Sequence, residues 1–79
     1  MSETTDRIIK CVQDAMDEGG RDMTGETRLS DDLNVDDIDL IEILLHLEGE
    51  FGLTILESDA ERWQTVGDIV DYIEHRLAA

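Results

Sequence analysis

Asp32, Asn34 and Asp36 alternate along the chain as Asp-x-Asn-x-Asp, the opening of an EF-hand calcium loop. Oxygen ligands at that spacing converge on a hard cation only if glycine turns the loop at its sixth position and a bidentate glutamate closes it at the twelfth. Those positions hold Asp37 and Ile43, with Glu42 one residue early, so no dedicated metal site is expected. Catalysis is no better supplied. His46 and His75 stand on different expected helices, and spacing places no serine or cysteine nucleophile beside either. Carboxylates abound, but a general acid needs a dry pocket to raise its pKa, and 79 residues leave little room for one. Cys11, among Ile8, Ile9 and Val12, reads as a small buried hydrophobe. The chain is not expected to be an enzyme.

What is left as chemistry is a concentration of negative charge at one helix start. Asp36, Asp37 and Asp39 crowd the first turn of a helix expected over Asp36 to Phe51. The positive end of the helix dipole favours them there, and the Asp36 carboxylate can accept from the Asp39 N–H as an N-cap. Behind them Ile38, Ile41, Leu44, Leu45 and Leu47 suggest an apolar stripe. Gly52 is a natural left-handed stop, and Gly49 in the last turn implies either fraying or a close contact.

The elements that must position this helix are also helices. The first is expected over Glu3 to Asp17, with Ile8, Ile9, Val12 and Met16 on one face and Gly19-Gly20 ending it. A long connection over 21–35 follows, with Met23, Leu29 and Leu33 as its candidate anchors. Leu53 to Ile55 form a short extended link. Ser58 and Glu61 fit a capping box opening a short helix that ends near Trp63, and Thr65 with Asp68 repeats the device for the last helix. There Val66, Ile69, Val70, Ile73 and Leu77 make an i, i+3, i+4 series. None of these stripes is stable alone in water. The expected fold is all-α, a small four-helix bundle with three long helices, one short helix and a long loop between the first two, in one domain over 1–79.

Composition narrows the partners. Six basic residues against 21 acidic ones give a net charge of −15, which argues against nucleic-acid or anionic-membrane surfaces. Such acidity could signal disorder, but 41% hydrophobic residues in clear periodicity can build a core. A single cysteine allows no internal disulfide. The polar N-terminus and short apolar runs suggest no signal peptide and no membrane span, hence a cytoplasmic protein; a monomer is expected.

The segment Leu33-Asn34-Val35-Asp36-Asp37-Ile38-Asp39-Leu40-Ile41-Glu42, continuing to Glu48-Gly49-Glu50-Phe51-Gly52, resembles the acyl carrier proteins. That family has Leu-Gly-x-Asp-Ser-Leu followed by Asp or Glu, then an acidic second helix closing in Glu-Phe-Gly. The tail Thr65-Val66-Gly67-Asp68-Ile69-Val70-Asp71-Tyr72-Ile73 is similar too, so the resemblance covers essentially the whole chain. It implies a domain that presents thioester-bound acyl intermediates to fatty acid or polyketide-type biosynthetic enzymes. In the family the serine after the motif aspartate receives a 4′-phosphopantetheine arm from coenzyme A, at a helix start whose free N–H groups tolerate a phosphate.

This chain departs from the family at that residue. By resemblance Asp37 is the attachment position, flanked by Asp36, and a carboxylate cannot form the phosphodiester; the arm is therefore expected to be absent, and a phosphopantetheinyl transferase would be a partner only if a serine were restored. Ser30 and Ser58 belong to other elements. Asn34 replaces the usual glycine yet tolerates a left-handed turn, and Leu56 stands where many members have proline. Resemblance makes Asp39, Glu42, Glu48, Glu57 and Asp59 candidates for docking onto basic patches of partner enzymes, a fast and reversible mode. Ile38, Leu44, Leu45, Ile55, Ile69 and Ile73 are core by periodicity, and by resemblance could line a cleft for an acyl chain. The competing expectation is an acidic docking or regulatory adaptor on the same fold, with no carrier role.

Overall fold

The structure, a computed structural model, describes residues 3–78. Four helices follow in the order α1 (Glu3–Ala15), α2 (Asp37–Phe51), α3 (Glu57–Ala60) and α4 (Val66–Ala78). The one bridge among the described residues is an isolated antiparallel pair between Arg28 and Thr65. Helix α1 packs against both α2 and α4, while α3 leans on α2. The facing stripes merge into one apolar cluster, with Ile8, Val12, Ile43, Leu47, Val66, Ile69 and Ile73 fully buried. Among the described residues, no helix is long and apolar enough to cross a membrane.

The long α1–α2 connection is held by the anchors its sequence suggests, since Met23, Leu29 and Leu33 are all buried. Hydrogen bonds tie it to the start of α4. The Leu29 N–H donates to Gln64 O (2.9 Å), Val66 N–H to Thr27 O (2.9 Å), and Gly67 N–H to Gly25 O (2.8 Å). A Cβ at Gly67 would sit 2.8 Å from that Gly25 oxygen, so only glycine lets the two backbones meet. The chain entering α2 is thus fixed by α4.

Both ends of α2 are closed. Gly52 is left-handed (φ 66°) and donates its N–H to Glu48 O, ending the helix where expected. The Arg7 guanidinium lies over the Phe51 ring at 4.5 Å and its Nε meets Glu50 Oε2 at 2.6 Å, clamping this end to α1. Gly49 neither frays the helix, which runs on to Phe51, nor touches a neighbour, because a Cβ there meets nothing within 4 Å.

Several expectations are corrected. Helix α1 ends at Ala15, not Asp17, and Gly19-Gly20 is not its stop: Asp17 itself turns left-handed (φ 55°), with Glu18 N–H bonded to Gln13 O and Asp17 N–H to Asp14 O. Ser58 does not cap α3. The cap position falls two residues earlier, at Leu56, the helix begins at Glu57, and no side chain caps it. Ile38 and Leu45 are not core but 74% and 53% exposed, and Leu77 is 48% exposed. The buried residues of α2 are Ile43, Leu44 and Leu47, with Leu40 and Phe51 half-buried against the same core. Ile38, Glu42, Leu45 and Gly49 fall on the opposite face at helical spacing.

Candidate functional site

The approach to α2 is a chain of local bonds. Asp32 Oδ2 accepts the Arg28 N–H (2.8 Å) and Val35 N–H bonds to Leu29 O (2.8 Å), while Asn34 adopts φ 54°. This left-handed residue fits the glycine-like role expected of it. Asp36 then sits in extended backbone as the N-cap. Its Oδ1 accepts the Asp39 N–H at 2.8 Å, and its own N–H donates to Asp39 Oδ2 at 3.2 Å. The capping box places Asp37 as the first residue of the helix, exposed, with no hydrogen-bond or ion-pair partner for its carboxylate among the described residues. Two of the aspartates that looked like calcium ligands, Asp32 and Asp36, are thus bonded to backbone N–H groups.

Beside Asp37 lies a cavity of about 210 Å³. Ser30, Asp36, Asp37 and Glu61 form its exposed polar rim; Leu29, Val35, Leu40 and Trp63 supply its apolar wall. Ser30 is therefore a neighbour of Asp37 in space although seven positions away in sequence. Ser30, Glu61 and Trp63 also border a second cavity of about 420 Å³. A third, of about 250 Å³, is lined by Asp59, Arg62, Trp63, Asp68 and Tyr72. Trp63 lines all three, yet the sequence suggested it only as the end of a short helix. The available signal was its being the only tryptophan in a chain with 4% aromatic residues.

The expected docking carboxylates divide into two kinds. Glu42 and Glu57 are exposed and have no partner among the described residues. The other three also serve the fold. Asp39 completes the α2 cap, Glu48 Oε2 accepts the Ile55 N–H (2.8 Å), and Asp59 Oδ2 accepts the Tyr72 hydroxyl (2.9 Å). Burial pushes the Tyr72 hydroxyl up, the bond to Asp59 adds to this, and Arg76 opposes it by donating to the same oxygen. Between Leu29 and Glu61 the chain has no Lys or Arg, so this half carries negative charge without internal compensation.

Of the expected acyl-cleft residues, Leu44, Ile55, Ile69 and Ile73 join the one core cluster, Ile38 and Leu45 face outward, and none of the six lines these three cavities.

A family model for the phosphopantetheine attachment site matches residues 6–73. Acyl carrier proteins of two Porphyromonas gingivalis strains are 36% identical over 77 residues, covering 98% of this chain and 99% of their own. That of Amoebophilus asiaticus is 36% identical over 78 residues, covering 99% and 98%. Among solved structures, a Mycobacterium tuberculosis chain described provisionally as an acyl carrier protein superposes with a TM-score of 0.84 at 29% identity, covering 92% of this chain and 97% of that one. The capped acidic start of α2 and these likenesses agree: the chain belongs to the acyl carrier proteins, a family of carriers and not enzymes.

Proposed function

We propose that this chain is a single carrier-type domain that engages biosynthetic enzymes through α2 but does not itself hold the phosphopantetheine arm. The observation that carries the reading is Asp37, a carboxylate at the first position of a correctly capped α2. The residues present do not fit the group. Attachment through a phosphodiester needs a hydroxyl at this position, and Asp36, Asp37 and Asp39 instead concentrate negative charge where a phosphate would have to approach. Recognition is a different matter. Exposed Ile38 and Leu45 flank Glu42 on the outer face of α2, which suits apolar sockets set in a basic surface.

The test is intact mass after incubation with coenzyme A and a phosphopantetheinyl transferase. The chain itself is expected to stay unmodified and Asp37→Ser to gain one arm. Modification of the unaltered chain, for instance at Ser30 on the rim of the same cavity, would overturn the claim that the arm is absent. If Asp37→Ser also stays bare, the carrier reading falls and an acidic docking or regulatory adaptor on the same fold replaces it.

A further inference from the structure

An aspartate in place of the attachment serine removes a reaction and leaves the surface around it whole. Asn34 turns left-handed at φ 54°, Asp36 and Asp39 exchange cap bonds of 2.8 and 3.2 Å, and Asp37 takes the first position of α2. Exposed Ile38, Glu42 and Leu45 share the outer face of that helix, and Gly49 continues the face without a side chain. The far end is held still. Arg7 lies over Phe51 and pairs with Glu50, while Glu48 Oε2 accepts the Ile55 N–H at 2.8 Å. A face fixed in this way loses little freedom on binding. Asp37 and Glu42 pair with no cation of the chain's own among the described residues, so both carboxylates are free for a partner's.

The family model that the chain matches is that of a phosphopantetheine attachment site, and attachment needs an enzyme that comes up to the start of α2. Coenzyme A gives up the arm by breakage of its pyrophosphate. An enzyme that breaks a pyrophosphate must hold its charge with Arg, Lys or a metal ion. While the coenzyme is away, those cations have no counter-charge. A serine-bearing carrier brings them a neutral hydroxyl; this chain brings them a carboxylate, which they attract.

We propose that this chain is a nonproductive ligand of the phosphopantetheinyl transferase. It occupies the enzyme's carrier-binding surface through Ile38, Glu42 and Leu45, and it puts the Asp37 carboxylate among the cations that otherwise hold the coenzyme A pyrophosphate. It thereby limits the arming of serine-bearing carriers. The assignment rests on the reading of α2 as a docking helix and deepens it: loss of the serine ends loading but not binding.

The test is a competition. Asp37→Ser is loaded by a transferase with coenzyme A, and the unaltered chain is added as the inhibitor. The two differ in mass, so one intact-mass spectrum follows loading of the first alone. The unaltered chain is expected to slow loading competitively against Asp37→Ser, and rising coenzyme A is expected to relieve the inhibition. Asp37→Asn keeps the size of the side chain and removes its charge; it should inhibit about tenfold less, the effect of one close charge pair. Leu45→Glu should lose inhibition through the apolar contact, and because Leu45 is 53% exposed the fold survives, as a thermal melt of each variant checks. Absence of inhibition with the unaltered chain in large excess overturns the proposal. So does inhibition that Asp37→Asn matches, or that coenzyme A leaves untouched. The two readings fail separately. If Asp37→Ser is loaded and the unaltered chain does not compete, the carrier reading stands and this one falls. If Asp37→Ser is not loaded, the carrier reading falls, and the same competition run on a serine-bearing acyl carrier protein decides this one.

Discussion

Gly49 and Gly67 are the same residue type with opposite reasons for being there. Gly49 is exposed in the last turn of α2 and a Cβ there would touch nothing, so Gly49→Ala is expected to stabilise the fold by about 1 kcal/mol through helix propensity. For a domain this small that is a rise of roughly 4–8 °C in Tm, readable by thermal melting. Gly67→Ala should lower the Tm, because its Cβ would press on the Gly25 carbonyl at 2.8 Å. Neither outcome follows from the sequence, where both are glycines within or beside helices. Cys11 makes a prediction of another kind. Burial pushes its thiol from 9.0 up to about 11, the charges of Glu50 and Asp14 push the same way, and Arg7 and Lys10 oppose them. A folded-state pKa above the unfolded one contributes stability that is fully present below about pH 9. That contribution is lost as pH rises through about 11, on the order of 2 kcal/mol in total. Cys11→Ala should flatten the alkaline decline between those values, measured by urea unfolding across pH. An unchanged slope would assign the decline to Tyr72, which titrates late for its own reasons and is tested by Tyr72→Phe.

Three helix starts offered the same signature of an oxygen-bearing cap three residues before an acid, and the structure keeps two. Asp36 with Asp39 and Thr65 with Asp68 form reciprocal boxes, the second through bonds of 3.1 Å in each direction. Ser58 with Glu61 does not, because α3 begins at Glu57 and leaves Ser58 inside its only turn. Asp36→Ala and Thr65→Ala are each expected to cost about 1 kcal/mol, whereas Ser58→Ala should cost almost nothing. Equal losses at all three would mean that Ser58 caps in solution after all. The same contrast explains what could be read in advance. Element number and order, the anchors Met23, Leu29 and Leu33, and the cap of α2 depend on residues close in sequence, and they stand as expected. The phase of α2 does not, because Ile38, Leu40, Ile41, Ile43, Leu44, Leu45 and Leu47 leave almost no polar side to mark the outer face. Packing against α1 and α3 chooses Ile43 and leaves Ile38 and Leu45 outside. Trp63 and Ser30 reach the Asp37 cleft only because the long loop is stitched to the start of α4, a contact that no local pattern encodes.

At the scale of the molecule, charge is the strongest unbalanced force. A net charge of −15 is packed into a body of 30 × 27 × 19 Å. The four ion pairs among the described residues lie at the surface, where such pairs contribute little. All four pairs use cations of α1 or of the connection before Leu29. Only Arg7–Glu50 and Arg28–Asp31 reach into the stretch from Leu29 to Glu61, which has no Lys or Arg of its own to offset its other carboxylates. At an ionic strength near 0.01 M the Debye length is about 30 Å, comparable to the long dimension of the molecule, and every carboxylate feels most of the others. Near 1 M it falls to about 3 Å, and only immediate neighbours interact. Raising NaCl across this range should therefore raise the Tm by several degrees, most steeply at the dilute end where screening first separates the two halves of the surface. Potassium chloride should do the same as sodium chloride, and magnesium at equal ionic strength should add nothing beyond screening, because Asp32 and Asp36 are already bonded to backbone donors. A sharp, saturable stabilisation by micromolar magnesium or calcium would instead mean that the acidic start of α2 gathers a cation, and the reading of that turn as a docking surface would have to yield to one of a metal site.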